Sequence, residues 1–412
     1  MRSDAMTTLA EQFELTKGRP AGFDYMRICF ALGVVAWHTS LVTYGYAYQE
    51  HIFSQPGPYR MVVAAIVPMF FALSGFLVAG SLERCKTLPG FLTLRVLRIF
   101  PALTADVILS AFLLGGSMTQ LSLWQYFHNP VFYQYLLNCL GDIHYYLPGL
   151  FLNNPYPRVV NQQLWTVPFE LECYLLLSAL SLLGIAKRRK LLLYFVLALV
   201  AYGLIDYLRG HDRSADDLHG NQLVLCFLIG VLFYGFRHHI AYTKALGFGS
   251  IAASFACFCI PGGGLLAPLP ITYATIFLGL TSPPRLFFMK TGDYSYGIYL
   301  YGFPIQQAVI ATGLVPLNGW LTLGAALPFI ILTAVMSWHF FELPMLSLRR
   351  YRPQVDRLFA FLKPDLLWDA AWHAVARLHP AARRPAGPRL AGGDLTAAPL
   401  TPAPAAAAPP TA

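Results

Sequence analysis

Residues 61–82 read Met-Val-Val-Ala-Ala-Ile-Val-Pro-Met-Phe-Phe-Ala-Leu-Ser-Gly-Phe-Leu-Val-Ala-Gly-Ser-Leu, without one ionisable side chain. A helical crossing of a bilayer needs about 20 mostly apolar residues, so this stretch alone suffices for one span. Working outward, the same pattern recurs at 24–46, 93–116, 165–186, 191–208, 221–236, 243–261, 264–282, 294–314 and 319–341, with 59–82 as the span quoted first. The chain is 56% hydrophobic and 12% charged over 412 residues, where a soluble domain carries about a quarter charged residues. The expected fold is an all-α membrane protein, a polytopic bundle of about ten transmembrane helices.

The net charge of +9 follows the loops. Arg84, Lys86, Arg95 and Arg98, then Lys187 to Lys190, Arg237 and Lys244, Arg285 and Lys290, and Arg349, Arg350 and Arg352 fall in one alternating set; the other holds only Arg60, Arg158, Arg209 and Arg213. The bias of Lys and Arg toward the cytoplasm puts the first set, and both termini, inside. Nucleic-acid binding is not expected, because orientation accounts for the positive charge. Met1 to Pro20 is polar and lacks the apolar core of a signal peptide. Cysteines such as Cys29, Cys173, Cys226, Cys257 and Cys259 sit in apolar stretches without a C-x-x-C pair and read as small buried hydrophobes.

The chain divides into a polar N-terminal segment (1–20), a transmembrane domain (21–350), a surface amphipathic helix (351–380) and an Ala/Pro-rich tail (381–412) whose composition predicts disorder. Residues 117–164 are expected as a long outward loop rich in aromatics: Trp124, Tyr126, Phe127, Phe132, Tyr133, Tyr135, Tyr145 and Tyr146. Such faces suit sugar rings, or equally an interfacial belt.

Ionisable residues within spans are costly, and each marks a candidate site. Arg27 and His38 lie eleven residues apart, about three full turns, so they share a face roughly 16 Å apart along the axis. Asp24 stands one turn before Arg27, within ion-pair reach. Glu170, about one turn into the fourth span, is placed at a depth comparable to His38, where its carboxylate would orient an imidazole acting as base. Arg95 and Arg98, at i and i+3 on the cytoplasmic side of the third span, can grip phosphate oxygens or simply anchor the helix. Ser74 reads as a helix-packing serine, since Ala72 stands where a nucleophile elbow needs glycine. No G-x-x-x-x-G-K-[ST], G-x-G-x-x-G or H-E-x-x-H is present, so neither a nucleotide-driven pump, a dinucleotide enzyme nor a metal site is expected.

Arg27 and His38, the Phe70-Phe71-Ala72-Leu73-Ser74-Gly75-Phe76-Leu77 segment, Arg95-Val96-Leu97-Arg98-Ile99-Phe100-Pro101, Leu164-Trp165-Thr166 with Glu170 and Tyr174, Asp293 to Leu300, and Phe341-Glu342-Leu343-Pro344 occur in that order. Together they resemble the membrane acyltransferase-3 family over about residues 20–350. The resemblance implies an O-acyltransferase of the inner (plasma) membrane. Its donor would be cytoplasmic acyl-CoA, usually acetyl-CoA, its acceptor a glycan or glycolipid hydroxyl, and it would need no bound cofactor. His38 is then the expected catalytic base or acyl relay with Glu170 its partner, and Arg27, Arg95 and Arg98 bind the donor. Asp24, Ser74, Trp165 and Tyr296 join them as expected substrate-binding residues. Many relatives have histidine in the ninth span where this chain has Gly302; either that histidine is dispensable or the substrate differs. A transporter or flippase using Asp24, Arg27, His38 and Glu170 as a relay is the competing reading, and it predicts inverted repeats that the sequence does not show.

Overall fold

A computed structural model describes residues 7–18, 20–54, 58–209, 220–260 and 263–371. Among these residues the chain is helical, with two isolated bridges (Thr8 to Ala241, Tyr146 to Val159) and no strand. The apolar windows form α1 (Ala21–Tyr44), α2 (Pro58–Glu83), α3 (Leu88–Ile108), α4 (Val167–Leu182) and α5 (Arg189–Leu208). They continue with α6 (Gly220–Gly235), α7 (Lys244–Cys257), α8 (Pro268–Gly279), α9 (Ser295–Ala311) and α10 (Gly319–Ser337). Local chemistry sets the ends. Thr87, Thr243 and Asn318 cap α3, α7 and α10 through their side-chain oxygens, each satisfying a backbone N–H that a helix start leaves free. Gly45 ends α1 at φ +84, a conformation that favours glycine.

Among the described residues, five helical runs are long and apolar enough to cross a membrane: Ala21–Tyr44, Tyr59–Glu83, Leu88–Met118, Arg189–Leu208 and Gly319–Leu358. The third and fifth are extended by π-helical turns, Leu109–Leu114 after α3 and Trp338–Glu342 after α10. The remaining apolar helices are shorter, from the 12 residues of α8 to the 17 of α9.

Small residues let the helix axes approach. A Cβ at Gly75 would lie 2.0 Å from the Phe227 carbonyl oxygen, and one at Gly230 would lie 2.4 Å from that of Ala72. The two glycines thus open α2 and α6 to each other, as expected where lipid supplies no hydrophobic drive and packing must. Gly75→Val is expected to lower the unfolding midpoint in detergent by several degrees, since overpacking costs about 1–3 kcal/mol. Gly249→Ala, whose added methyl meets nothing within 4 Å, serves as the control that leaves the midpoint unchanged or higher. On the other side of the bundle, Gly297 of α9 abuts Ala334 of α10 and Gly302 abuts Val35 of α1.

The stretch 117–164 is more structured than a loop. It holds the helices Leu123–Phe127 and Pro130–Leu136 and the 3-10 turns Leu137–Leu140 and Gln162–Thr166. Three of its aromatics, Tyr126, Phe132 and Tyr135, are buried core residues rather than surface faces; Tyr126 donates to the Ala111 carbonyl across 2.7 Å. Near the N-terminus, Thr8 caps a short helix, Leu9–Leu15, whose Leu9 amide donates to the Ile240 carbonyl. Within 351–380 the chain forms the helix Arg352–Leu358, turns and a second helical stretch at 366–371, and Lys187 pairs with Asp365 at 2.8 Å. Residues 372–380 and the tail 381–412 lie outside the described residues.

Candidate active site

A cavity of about 160 Å³ opens among α1, α2, α3, α4, α6 and α9. Its wall on α2 runs from Val67 to Val78, twelve residues and therefore about 16 Å of helix from first to last. Arg27, Ser74, Arg95, Arg98, Glu170 and Tyr296, six of the residues singled out from the sequence, all line it. Apolar side chains such as Val67, Phe70, Leu77, Ile99 and Phe227 fill much of the remaining wall.

Its charged end is a network. Arg98 bonds Asp293 at 2.7 Å and stands 3.7 Å from Glu342, which is 2% exposed. Arg27 reaches the same Asp293 oxygen at 3.5 Å and Asp24 at 3.9 Å. Asp24 itself pairs more closely with Arg285, at 3.1 Å. Asp293 sits in the turn ahead of α9 and accepts from the Ser295 hydroxyl at 2.6 Å. Burial would raise its carboxyl, but Arg98 and Arg27 outweigh that and hold it well below the usual carboxylate range.

Arg95 differs. It donates to the Ser81 hydroxyl at 3.3 Å and faces the rings of Phe91 and Tyr174. Its buried Nε has no hydrogen-bond partner. Among the described residues no carboxylate lies within ion-pair distance of it, so it is the cavity arginine least engaged by the protein.

Glu170 accepts a 2.5 Å hydrogen bond from Tyr174, one turn further along α4. His38 is buried with its ring edge-on to Phe303 of α9 at 5.2 Å and is not among the cavity-lining residues. No hydrogen bond joins His38 and Glu170 among the described residues. Comparable depth placed both in one layer, but depth does not set azimuth: Glu170 looks into the arginine cavity, while His38 looks at α9. Along α9, Tyr296, Tyr299 and Phe303 follow one another from the cavity toward His38. Tyr299 is locked at that end by contacts of 2.6 Å with the Thr166 hydroxyl and the Gln163 carbonyl. Trp165 is half-buried against Phe169 rather than in the cavity.

Asp293 and Glu342 lie within the motif stretches of the sequence, where a carboxylate at the end of an apolar run is the signal for a role that the motif alone does not name. Asp106 falls in none of those stretches. That residue lies in the last turn of α3, fully buried, and accepts from the Asn161 side chain at 2.6 Å.

The family model described as an acyltransferase domain matches residues 21–341. The chain is 27% identical over 306 residues to an O-acetyl transferase of Shigella phage Sf6, covering 70% of this chain and 86% of that protein. It is 28% identical over 371 residues to Nodulation protein 10 of Rhizobium leguminosarum bv. viciae, covering 82% of this chain and 96% of the relative. No solved structure matches it. A helical chain with membrane-length apolar runs, a buried cavity holding three arginines, and a family match over most of its length lead to one assignment: the chain belongs to the acyltransferase-3 family and is a membrane O-acetyltransferase.

Proposed function

We propose that the protein takes an acyl group, acetyl in the first instance, from cytoplasmic acyl-CoA and places it on a hydroxyl of an exported or cell-surface glycan. The reading assigns all ten apolar helices to membrane crossings, both termini to the cytoplasm and the protein to the inner membrane, with the loop charges as its support. Arg27, Arg95 and Arg98 then lie toward the cytoplasm and receive the donor's phosphates, for which guanidinium is well suited. The thioester arm extends along the apolar wall toward Tyr299. His38 accepts the proton of the acceptor hydroxyl as its oxygen attacks the thioester carbonyl; the carbon–sulfur bond breaks, an ester forms, and the proton passes to the departing thiolate. Glu170 works in the donor cavity with Tyr174 and the arginines, not as the partner of His38.

The observation that carries this reading is Arg95, a cavity-lining cation with no carboxylate within ion-pair distance among the described residues. In membranes containing the full chain and acetyl-CoA labelled in its acetyl group, Arg95→Gln is expected to raise the KM for acetyl-CoA tenfold or more and leave that for the glycan unchanged. An unaltered donor KM would remove Arg95 from the donor site, and absence of transfer by the native protein would sink the reading itself.

A further inference from the structure

The side of His38 away from the donor cavity carries a second surface that the donor chemistry leaves unused. Phe303, edge-on to His38, has the Tyr156 ring 6.2 Å away on another side. Tyr145 and Tyr156 pack with Phe303, Leu41, Val42, Val159 and Ile310 in a small apolar cluster distinct from the main core. The Tyr145 and Tyr146 rings lie 6.5 Å apart. Burial raises the Tyr156 phenol, and the neighbouring hydroxyls of Tyr146, Tyr46 and Tyr145 raise it further; Gly45, which precedes Tyr46, lies against the carbonyl of Pro155, which precedes Tyr156, and this contact brings Tyr46 to the other three.

This group is built rather than incidental. Gln307 of α9 is fully buried and gives its whole side-chain amide to the segment that carries the tyrosines. Its nitrogen donates to the carbonyls of Tyr156 and Val159 at 2.8 Å each, and its oxygen accepts from Asn154 at 2.8 Å. Val160 donates to the Tyr145 carbonyl, pairing the 145–146 strand-like stretch with 159–160. Gly45, at the end of the His38 helix, lies against the Pro155 carbonyl, where a Cβ would stand 2.9 Å from the oxygen. The loop is therefore fixed to both helices that carry His38 and Phe303. Two rings of the group remain free to be covered: Tyr46, at the start of the helix Tyr46–Ser54, is 60% and Tyr146 51% exposed.

We infer that Tyr46, Tyr145, Tyr146 and Tyr156 form the acceptor subsite, where an uncharged sugar ring stacks and presents its hydroxyl to His38. Tyrosine suits this occupant, with an apolar ring face for the carbon–hydrogen side of a pyranose and a phenol for its hydroxyls. The four rings carry no formal charge, which favours a neutral sugar at the reacting position over an acidic one. The inference rests on His38 acting at the acceptor, and the test separates the two.

Full-length protein in native membranes is supplied with labelled acetyl-CoA and neutral oligosaccharides released from the surface glycan of the producing cell. Tyr46→Ala and Tyr146→Ala together are expected to raise the oligosaccharide KM at least tenfold, with kcat and the acetyl-CoA KM within twofold of the native values. Both rings are exposed, so their loss removes little from the core. Tyr146→Trp, which restores a stacking face, should recover most of the affinity in the otherwise native protein. Trp124→Ala, an exposed aromatic at 70% exposure stacked on His128 instead, should change nothing. An unaltered oligosaccharide KM in the double variant overturns the subsite, as does a loss shared equally by Trp124→Ala. Acetyl transfer by His38→Gln protein at the native rate would overturn the underlying reading instead.

Discussion

Arg98→Ala is expected to reduce acetyl transfer by at least a hundredfold and to lower the amount of folded protein recovered, and adding Glu342→Gln should restore the second without the first. Arg98 is the hinge of the charged network, bonded to Asp293 at 2.7 Å and 3.7 Å from Glu342. Removing it strands carboxylates in a place with little water. Asp293 keeps Arg27 at 3.5 Å and the Ser295 hydroxyl, but Glu342 keeps only a 3.4 Å bond from Ser337. Truncating one partner of a buried pair costs about 3–5 kcal/mol, chiefly because the other charge is left unpaired. Neutralising Glu342 removes that penalty, so the double variant separates folding from catalysis. Recovery is read as detergent-stable monodisperse protein, and activity as label transferred from acetyl-CoA. Equal activity in native and Arg98→Ala protein would take this arginine out of the site.

The second large effect is at His38. His38→Gln, close to the imidazole in size and still polar, is expected to lower kcat by 10²–10⁴-fold, the range typical of a lost general base, with the acetyl-CoA KM little changed. The donor term should hold because His38 does not line the arginine cavity. The measurement is initial rate against donor concentration at saturating glycan, with protein quantified in the same membranes. A rise in donor KM at constant kcat would place His38 in the donor site and reverse the division of labour proposed for the two ends.

The helices were legible because hydropathy runs and caps are local properties. The windows around 61–82 and 191–208 correspond to α2 and α5, and Thr87 and Asn318 carry their capping chemistry in the side chain itself. The grouping of Arg27, Ser74, Arg95, Arg98, Glu170 and Tyr296 around one cavity was also within reach, through motif positions on five helices. What the sequence withheld was azimuth between helices. Nothing in a residue count tells which way α4 is rotated about its axis, so Glu170 was paired with His38 when its hydroxyl partner, Tyr174, stood four residues away on the same helix. The aromatics of 117–164 divide for a related reason: only burial separates Tyr126 and Tyr135, filling the core, from Tyr146, facing outward, and their flanking residues look alike.

The contact of Gly302 with Val35 limits what the ninth helix can carry at that position. A methyl at position 302 would already come within 2.6 Å of a Val35 methyl, and Val35 is β-branched, 1% exposed and on a helix, with one strongly preferred rotamer to retreat to. An imidazole therefore has no room unless residue 35 shrinks as well. The two positions behave as one locus: the glycine lets the first and ninth helices interlock in a seam, and any larger side chain at 302 calls for a smaller one at 35.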